Sequence, residues 1–254
     1  IHELINERLD LDAFLYQRHK CSPYRGKKLA ERLEITLFIC PNCQSMATVF
    51  SKIDKVFCSV CQLELKYNEF GFFEPIDSLS IEKKNRGDFL DTVLSWDLWQ
   101  RKTLPEILKV GALERTEDKR YIFKDTNQTL VLTEKASRSH ILSRGDFYLY
   151  QDRMVFLRDG NLKSSPTEKS GSKLFKFKET KKYQHLINTK EHEFRIEHIN
   201  RVIVHGPKTL QFTDRDNKVY EIRSKHWRSA YKYLLAFDVL KANLQGGFNG
   251  FYSI

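Results

Sequence analysis

At 254 residues with 41% hydrophobic content, the chain is long enough for one large domain or two small ones, and too apolar for a disordered polypeptide. No apolar run approaches the ~20 residues a helix needs to cross a bilayer, which excludes a helical membrane-spanning protein. The formal charge of +10 and a pI near 9.3 predict attraction to something anionic: nucleic acid, a phospholipid surface or a phosphorylated substrate.

Residues 2–20 carry a helical pattern, with Leu4, Ile5, Leu9, Leu11 and Phe14 recurring at steps of about three and four. The chain opens on Ile1 in the middle of that pattern, so it is expected to be processed or to be the tail of a longer protein. Lys20-Cys21-Ser22-Pro23-Tyr24-Arg25-Gly26-Lys27-Lys28 ends the helix, because Pro and Gly disfavour a helix interior. Arg25, Lys27 and Lys28 in this basic loop have two readings: a solvated surface, or contacts to a phosphate or lipid headgroup. Residues 29–37 then run as a short helix or an extended lead-in.

Cys40-Pro41-Asn42-Cys43 and Cys58-Ser59-Val60-Cys61 follow. Two C-x-x-C pairs this close supply four thiolates at the spacing of a tetrahedral zinc site, so Cys40, Cys43, Cys58 and Cys61 are the candidate ligands of a structural Zn2+. Catalytic zinc keeps an open position, which four thiolates do not leave. The residues between the pairs read as strand (46–50), turn (51–55) and strand (56–57), which makes a zinc ribbon. Cys21 is the one cysteine left over, and this usage points to a reducing, cytosolic compartment.

Residues 63–67 alternate as a closing strand, and Gly71-Phe72-Phe73 ends the unit. Residues 77–88 read as a polar connector. Phe89, Leu90, Val93, Leu94, Leu98 and Trp99 have helical spacing, with Trp96 on a second face; Pro105 begins another short helical turn, stopped at Gly111. From Tyr121 the period changes to two. Strands are expected at 120–124, 129–134, 146–150, 153–157, 173–178, 193–197, 201–205, 209–213 and 218–222. Turn signals lie between them, among them Asp125-Thr126-Asn127. One helix, 224–242, follows, with Trp227, Ala230, Tyr231, Leu234, Phe237 and Leu240 on one face. Glycine-rich residues 246–250 make a loose tail.

Strands first and one amphipathic helix last resemble the order of a pleckstrin-homology (PH) or GRAM-like domain. Gly145-Asp146-Phe147-Tyr148-Leu149-Tyr150 through Phe156 is similar to the opening hairpin of that fold, and Leu210-Gln211-Phe212-Thr213 through Tyr220-Glu221-Ile222 to its last one. The resemblance implies a small antiparallel barrel over 113–242, plugged by the helix. Within it, residues 163–190 hold eight lysines against two glutamates, among them Lys169, Lys173, Lys176, Lys178, Lys181 and Lys182. This is either a solvated loop or a prong for anionic lipid, where each basic residue near the surface contributes about 1 kcal/mol. Phe175 and Phe177 between the lysines either insert at the interface or face the barrel core.

The stretch Tyr24-x-Gly26-Lys27-x-Leu29-Ala30-Glu31-x-Leu33-Glu34-x-x-Leu37-x-x-Cys40-Pro41-x-Cys43 resembles the segment after the catalytic domain in Gram-positive bacterial lysophospholipid acyltransferases (1-acyl-glycerol-3-phosphate acyltransferase-like). Tyr67-Asn68-Glu69-Phe70-Gly71-Phe72-Phe73 and Trp96-Asp97-Leu98-Trp99-Gln100 are similar to later phrases of that tail. The resemblance implies an α+β chain in five parts. Residues 1–34 would be the end of an absent catalytic domain, 35–75 the ribbon, 76–112 a helical connector, 113–242 the barrel and 243–254 a tail. The implied partners are the acyltransferase domain in cis and an anionic phospholipid surface, or a protein, at the cytoplasmic face of the membrane.

That family uses a His-x-x-x-x-Asp pair, its His a general base on the acceptor hydroxyl. No His here has Asp at that position: His2 has Glu7, His140 has Gly145, His192 has Glu197 and His226 has Tyr231. Nor does the chain hold H-E-x-x-H, G-x-x-x-x-G-K-[ST], G-x-S-x-G or G-x-G-x-x-G. The expectation is a non-catalytic part of an acyltransferase of phospholipid biosynthesis. The alternatives are a zinc-ribbon nucleic-acid-binding protein, which the modest basicity of the ribbon disfavours, and a protein-interaction scaffold.

Overall fold

The computed structural model describes residues 12–113, 121–134, 138–159, 183–226 and 229–246. The fold is α+β, in two compact units, Ile1–Thr103 and Leu104–Ile254. Helix α1 (Ala13–Lys20) is the described part of the expected N-terminal helix. Asp12 caps it by accepting from the Phe14 and Leu15 amides, and Arg18, His19 and Lys20 sit at its negative end. A 3-10 turn at Leu33–Ile35 then leads to a four-stranded antiparallel meander. Its strands are β1 (Val49–Lys52), β2 (Lys55–Cys58), β3 (Glu64–Tyr67) and β4 (Phe73–Pro75).

The β1–β2 turn is tighter than expected, since Lys52 pairs with Lys55 and only Ile53 and Asp54 lie between. Strand β4 was not expected, being three residues long and ending in proline. It forms because Asn68 Oδ1 accepts from the Phe70 and Phe72 amides while Gly71 takes φ 83°, which returns the chain onto β3. Val49, Val56, Cys58, Leu65 and Phe73 turn to one side, where Ala30, Leu37, Leu63 and Trp96 complete a small core.

The supposed polar connector contains helix α2 (Ser78–Arg86). Its apolar residues Leu79 and Ile81 are exposed, so no buried face announces it. Capping holds it: Asp77 and Ser80 form a reciprocal box, and Gly87 closes the far end at φ 80°. Helix α3 (Val93–Leu113) is continuous through Pro105, where a break was expected. Thr92 and Ser95 bond each other's amides at its start. Its fully buried positions step by four, Trp96, Gln100, Leu104 and Leu108, while Leu94 and Leu98 of the expected face stay exposed.

The second unit is a seven-stranded antiparallel sheet. Its strands are β5 (Phe123–Glu134), β6 (Arg138–Leu149), β7 (Arg153–Arg158), β8 (Glu191–Arg195), β9 (Ile199–His205), β10 (Thr209–Asp214) and β11 (Val219–Ser224), in the order β8-β7-β6-β5-β11-β10-β9. The two strands expected at 120–124 and 129–134 are one. Asp125-Thr126-Asn127 is a bulge rather than a turn: pairing passes from Asp125–Phe147 to Gln128–Gly145, with Asn127 at φ 57°. Gly145 sits opposite, and a Cβ there would lie 1.9 Å from the Leu157 carbonyl oxygen.

Among the described residues this sheet is open, a correction to the expected closed barrel. Strands β8 and β9 occupy opposite edges although only three residues separate them. Those residues, Ile196–His198, form a 3-10 corner. Lys241 Nζ donates to the Ile196, Glu197 and Ile199 carbonyls at 2.9–3.0 Å, so a side chain holds the corner where a ladder would have closed. The sheet is nevertheless strongly curled. Phe194 on edge strand β8 packs 4.8 Å from the rings of both Phe212 on β10 and Tyr220 on β11.

A short helix, α4 (Gln184–Asn188), precedes β8, and α5 (Tyr231–Leu244) ends the described chain. Helix α5 begins seven residues later than expected. Ala230, Phe237 and Leu240 are buried as the spacing predicts, but Tyr233, Leu235, Ala236 and Val239 are buried too, so nearly the whole circumference is apolar. Lys232 is buried with them, its charge met by Asp125 at 2.9 Å in the bulge of β5. The strand expected at 173–178 lies outside the described residues, as does Trp227. No described helix is long and apolar enough to cross a membrane.

Candidate metal centre

Each cysteine pair forms the same knuckle, because the same local bonds are available to both. In the first, the Cys40 amide donates to Ser45 O (3.1 Å), Gln44 N to Cys40 O (3.0 Å) and Asn42 N to Cys40 Sγ (3.4 Å). In the second, Cys58 N donates to Leu63 O (2.9 Å), Gln62 N to Cys58 O (3.1 Å) and Val60 N to Cys58 Sγ (3.4 Å). The residue after each pair, Gln44 or Gln62, takes φ near +58° and turns the chain away. Each loop thus projects two sulfurs to one side and aims an amide at the more buried of them.

The β1–β2 hairpin brings the knuckles together. Cys58 ends β2 opposite Val49, and an Ile39–Met46 bridge carries Cys40 to the same end of the sheet. Cys40 Sγ lies 3.5 Å from Cys61 Sγ, Cys43 Sγ lies 3.7 Å from Cys58 Sγ, and all four sulfurs fall within 4.8 Å of one another. Metal–sulfur bonds of about 2.3 Å in a tetrahedron place sulfurs about 3.8 Å apart, so the cluster could hold a metal ion such as zinc. A soft, all-thiol donor set fits that ion.

Around the sulfurs the protein sets opposite tendencies. Burial pushes the Cys40 thiol well above its ordinary range. Burial opposes ionisation of Cys58 as well, but the Thr48 hydroxyl (Oγ1–Sγ 3.4 Å) and the Cys61 and Val60 amides outweigh it and draw the thiol down to about 6. Cys40 and Cys58 are buried, while Cys43 and Cys61 are half-buried.

Sequence reading missed the supports of the first knuckle. Trp96 Nε1 donates to Ile39 O at 2.8 Å, beside the first ligand. Gln100, fully buried, accepts from the Phe38 amide (3.1 Å) and donates to Thr36 O (2.8 Å) and Asp97 Oδ1 (2.7 Å). One turn of α3 therefore pins the segment that delivers Cys40. Lys83 Nζ, from α2, adds a bond to Pro41 O. A buried Gln within a helical pattern was the available signal, since buried amides need partners.

The other candidate residues are not gathered with the cysteines. Arg25, Lys27 and Lys28 lie exposed in the loop after α1, with Lys28 paired to Glu31 at 2.8 Å. Lys169, Lys173, Lys176, Lys178, Lys181 and Lys182 lie outside the described residues. No family model and no curated protein matches the chain. Among solved structures, the C-terminal domain of an unknown protein from Leishmania infantum is similar over 54% of this chain and 92% of that one, at 10% identity and a TM-score of 0.27.

Proposed function

We propose that the chain is the non-catalytic C-terminal part of a lysophospholipid acyltransferase of phospholipid biosynthesis. In this reading a structural zinc in the Cys40–Cys43–Cys58–Cys61 cluster stiffens a module that braces the catalytic domain. The second unit is a PH/GRAM-like domain that docks on the anionic cytoplasmic leaflet or on a partner. The observation that carries the proposal is the joining of two sequence phrases that hold the resemblance. The cysteine knuckle with its lead-in and residues 96–100 are tied by the Trp96 and Gln100 hydrogen bonds into one unit. The thiols are engaged by knuckle amides and by one another, which supports a bracing role over chemistry at the metal. The curl of the second sheet and the burial of α5 support the PH/GRAM-like reading.

The test is the intact mass of the native protein, isolated from its source with an antibody to this chain. The expected species is longer by about one domain and carries a His-x-x-x-x-Asp pair upstream of Ile1. A native protein without that upstream domain overturns the enzyme assignment. Steep salt-dependent binding to duplex DNA, with no binding to anionic vesicles, would move the reading to nucleic acid.

A further inference from the structure

The outward face of the ribbon hairpin departs from local stability rules in two independent ways. First, register sets Lys52 opposite Lys55 and Lys55 opposite Lys66, a row of three lysines across three neighbouring strands. Like charges directly opposite each other destabilise a sheet. Glu64 meets Lys55 at 2.6 Å and Glu74, opposite Lys66 in register, meets it at 3.9 Å, while among the described residues no carboxylate lies within salt-bridge reach of Lys52. Secondly, the two-residue turn places Ile53 at φ 59°, where Gly, Asn or Asp would be relaxed and a β-branched residue is strained. Ile53 gains no burial for this, being 48% exposed. The Ala30 amide (to Ile53 O, 2.9 Å) and the Tyr67 amide (to Asp54 O, 2.6 Å) hold the turn in place.

Beside the lysine row, one pleat along, Phe50 and Phe57 form a cross-strand pair, exposed at 45% and 38%. The outward face of the hairpin thus carries a lysine row and an aromatic pair, with Glu64 and Glu74 beside them, and Ile53 stands exposed in the turn at its end. A strained apolar tip and an uncompensated Lys52, kept at an exposed place, point to a ligand that relieves them. We infer that this face, Ile53, Phe50 and Phe57 with Lys52, Lys55 and Lys66, is a contact surface for an anionic lipid bilayer. The apolar side chains enter the headgroup–acyl boundary and the lysines meet phosphates on their flexible stems. The inference rests on the membrane-docking part of the proposed function and names the element that docks.

A bilayer suits this face better than single-stranded nucleic acid does. The tip is aliphatic and cannot stack on a base. The two phenyl rings stack on each other (centroids 5.9 Å, 24° between planes), so each has one face already covered. Strands β1 and β2 carry no Arg, Asn, Gln or Tyr to bond a base edge.

The experiment is co-sedimentation of the full zinc-loaded chain with phosphatidylglycerol–phosphatidylcholine vesicles and with pure phosphatidylcholine vesicles, alongside thermal unfolding. Ile53→Asn is expected to weaken binding to the anionic vesicles about tenfold, by loss of one apolar insertion. The same change should leave the unfolding midpoint equal or higher, because Asn tolerates the left-handed turn. That pairing of weaker binding with undiminished stability is not what a merely structural residue gives. Lys52→Gln with Lys55→Gln should weaken binding about fivefold per lysine. Vesicle binding unaltered in both variants overturns the inference while leaving membrane docking to other basic segments. No vesicle binding by the parent chain overturns both. Binding of a single-stranded oligonucleotide in place of vesicles, lost on Phe50→Ser with Phe57→Ser, overturns it in favour of nucleic acid.

Discussion

The four-stranded unit is built from strands of three or four residues around ten buried core residues, two of which are cysteines of the cluster. The seven-stranded unit has strands of up to twelve residues and buries phenylalanines at 147, 156 and 212 almost completely. Small cores bury little apolar surface and commonly lean on a metal, a disulfide or a partner. The longer unit has a larger core of its own. The two regions therefore differ in their means: the first carries four cysteines that could bind a metal ion, the second a larger packed core.

Removing the metal should separate them most sharply. Cys40→Ser with Cys58→Ser, or a strong chelator, is expected to release one zinc per chain and unfold residues 35–70, since binding free energies of about 10–16 kcal/mol are folding free energies in such sites. Hydrogen exchange should then show lost protection in β1 to β3 and retained protection in β5 to β11. Unchanged zinc stoichiometry in the double variant would refute the metal centre. Simultaneous loss of both units would refute the division of labour.

The converse perturbation is smaller. Phe212→Ala removes the ring on which Phe194 packs across the curl, and should cost about 3–5 kcal/mol in urea unfolding of the second unit, with zinc content intact. A cost below ~1 kcal/mol would mean the curl is held by backbone pairing alone.

The smallest effect concerns pH. Burial, and then the charge of Arg158, lowers the pKa of His192 on β8 below its ordinary value near 6.5. The folded state thus holds this imidazole neutral where the unfolded chain would protonate it. Its contribution is complete above pH 6.5 and is lost as the pH falls through the unfolded and then the folded value. Urea midpoints of the second unit should drop between pH 7.5 and 5.5, and His192→Phe should flatten that slope. The zinc unit must be followed separately, because acid also protonates thiols.

The four cysteines were readable from spacing alone, since a C-x-x-C knuckle closes through bonds within six residues and needs nothing from the rest of the chain. The same locality made the β9–β10 and β10–β11 hairpins and the last helix legible. What the sequence could not decide were features that distant groups impose. Asp125-Thr126-Asn127 has turn chemistry, yet β6 pairs on both sides of it, and β11 on its far side, which makes it a bulge within one strand. Helix α2 has no apolar periodicity and exists through its caps. Trp96 and Gln100 looked like one more aromatic helix face and a polar neighbour, but they hold the segment that delivers Cys40 from about sixty residues away. The lysine row was equally hidden, because register between strands, not order along the chain, sets Lys52, Lys55 and Lys66 side by side. Local bonding was written in the sequence. Which groups meet across the sheet depends on pairings whose free energy is shared among many residues, and only the folded chain fixes them.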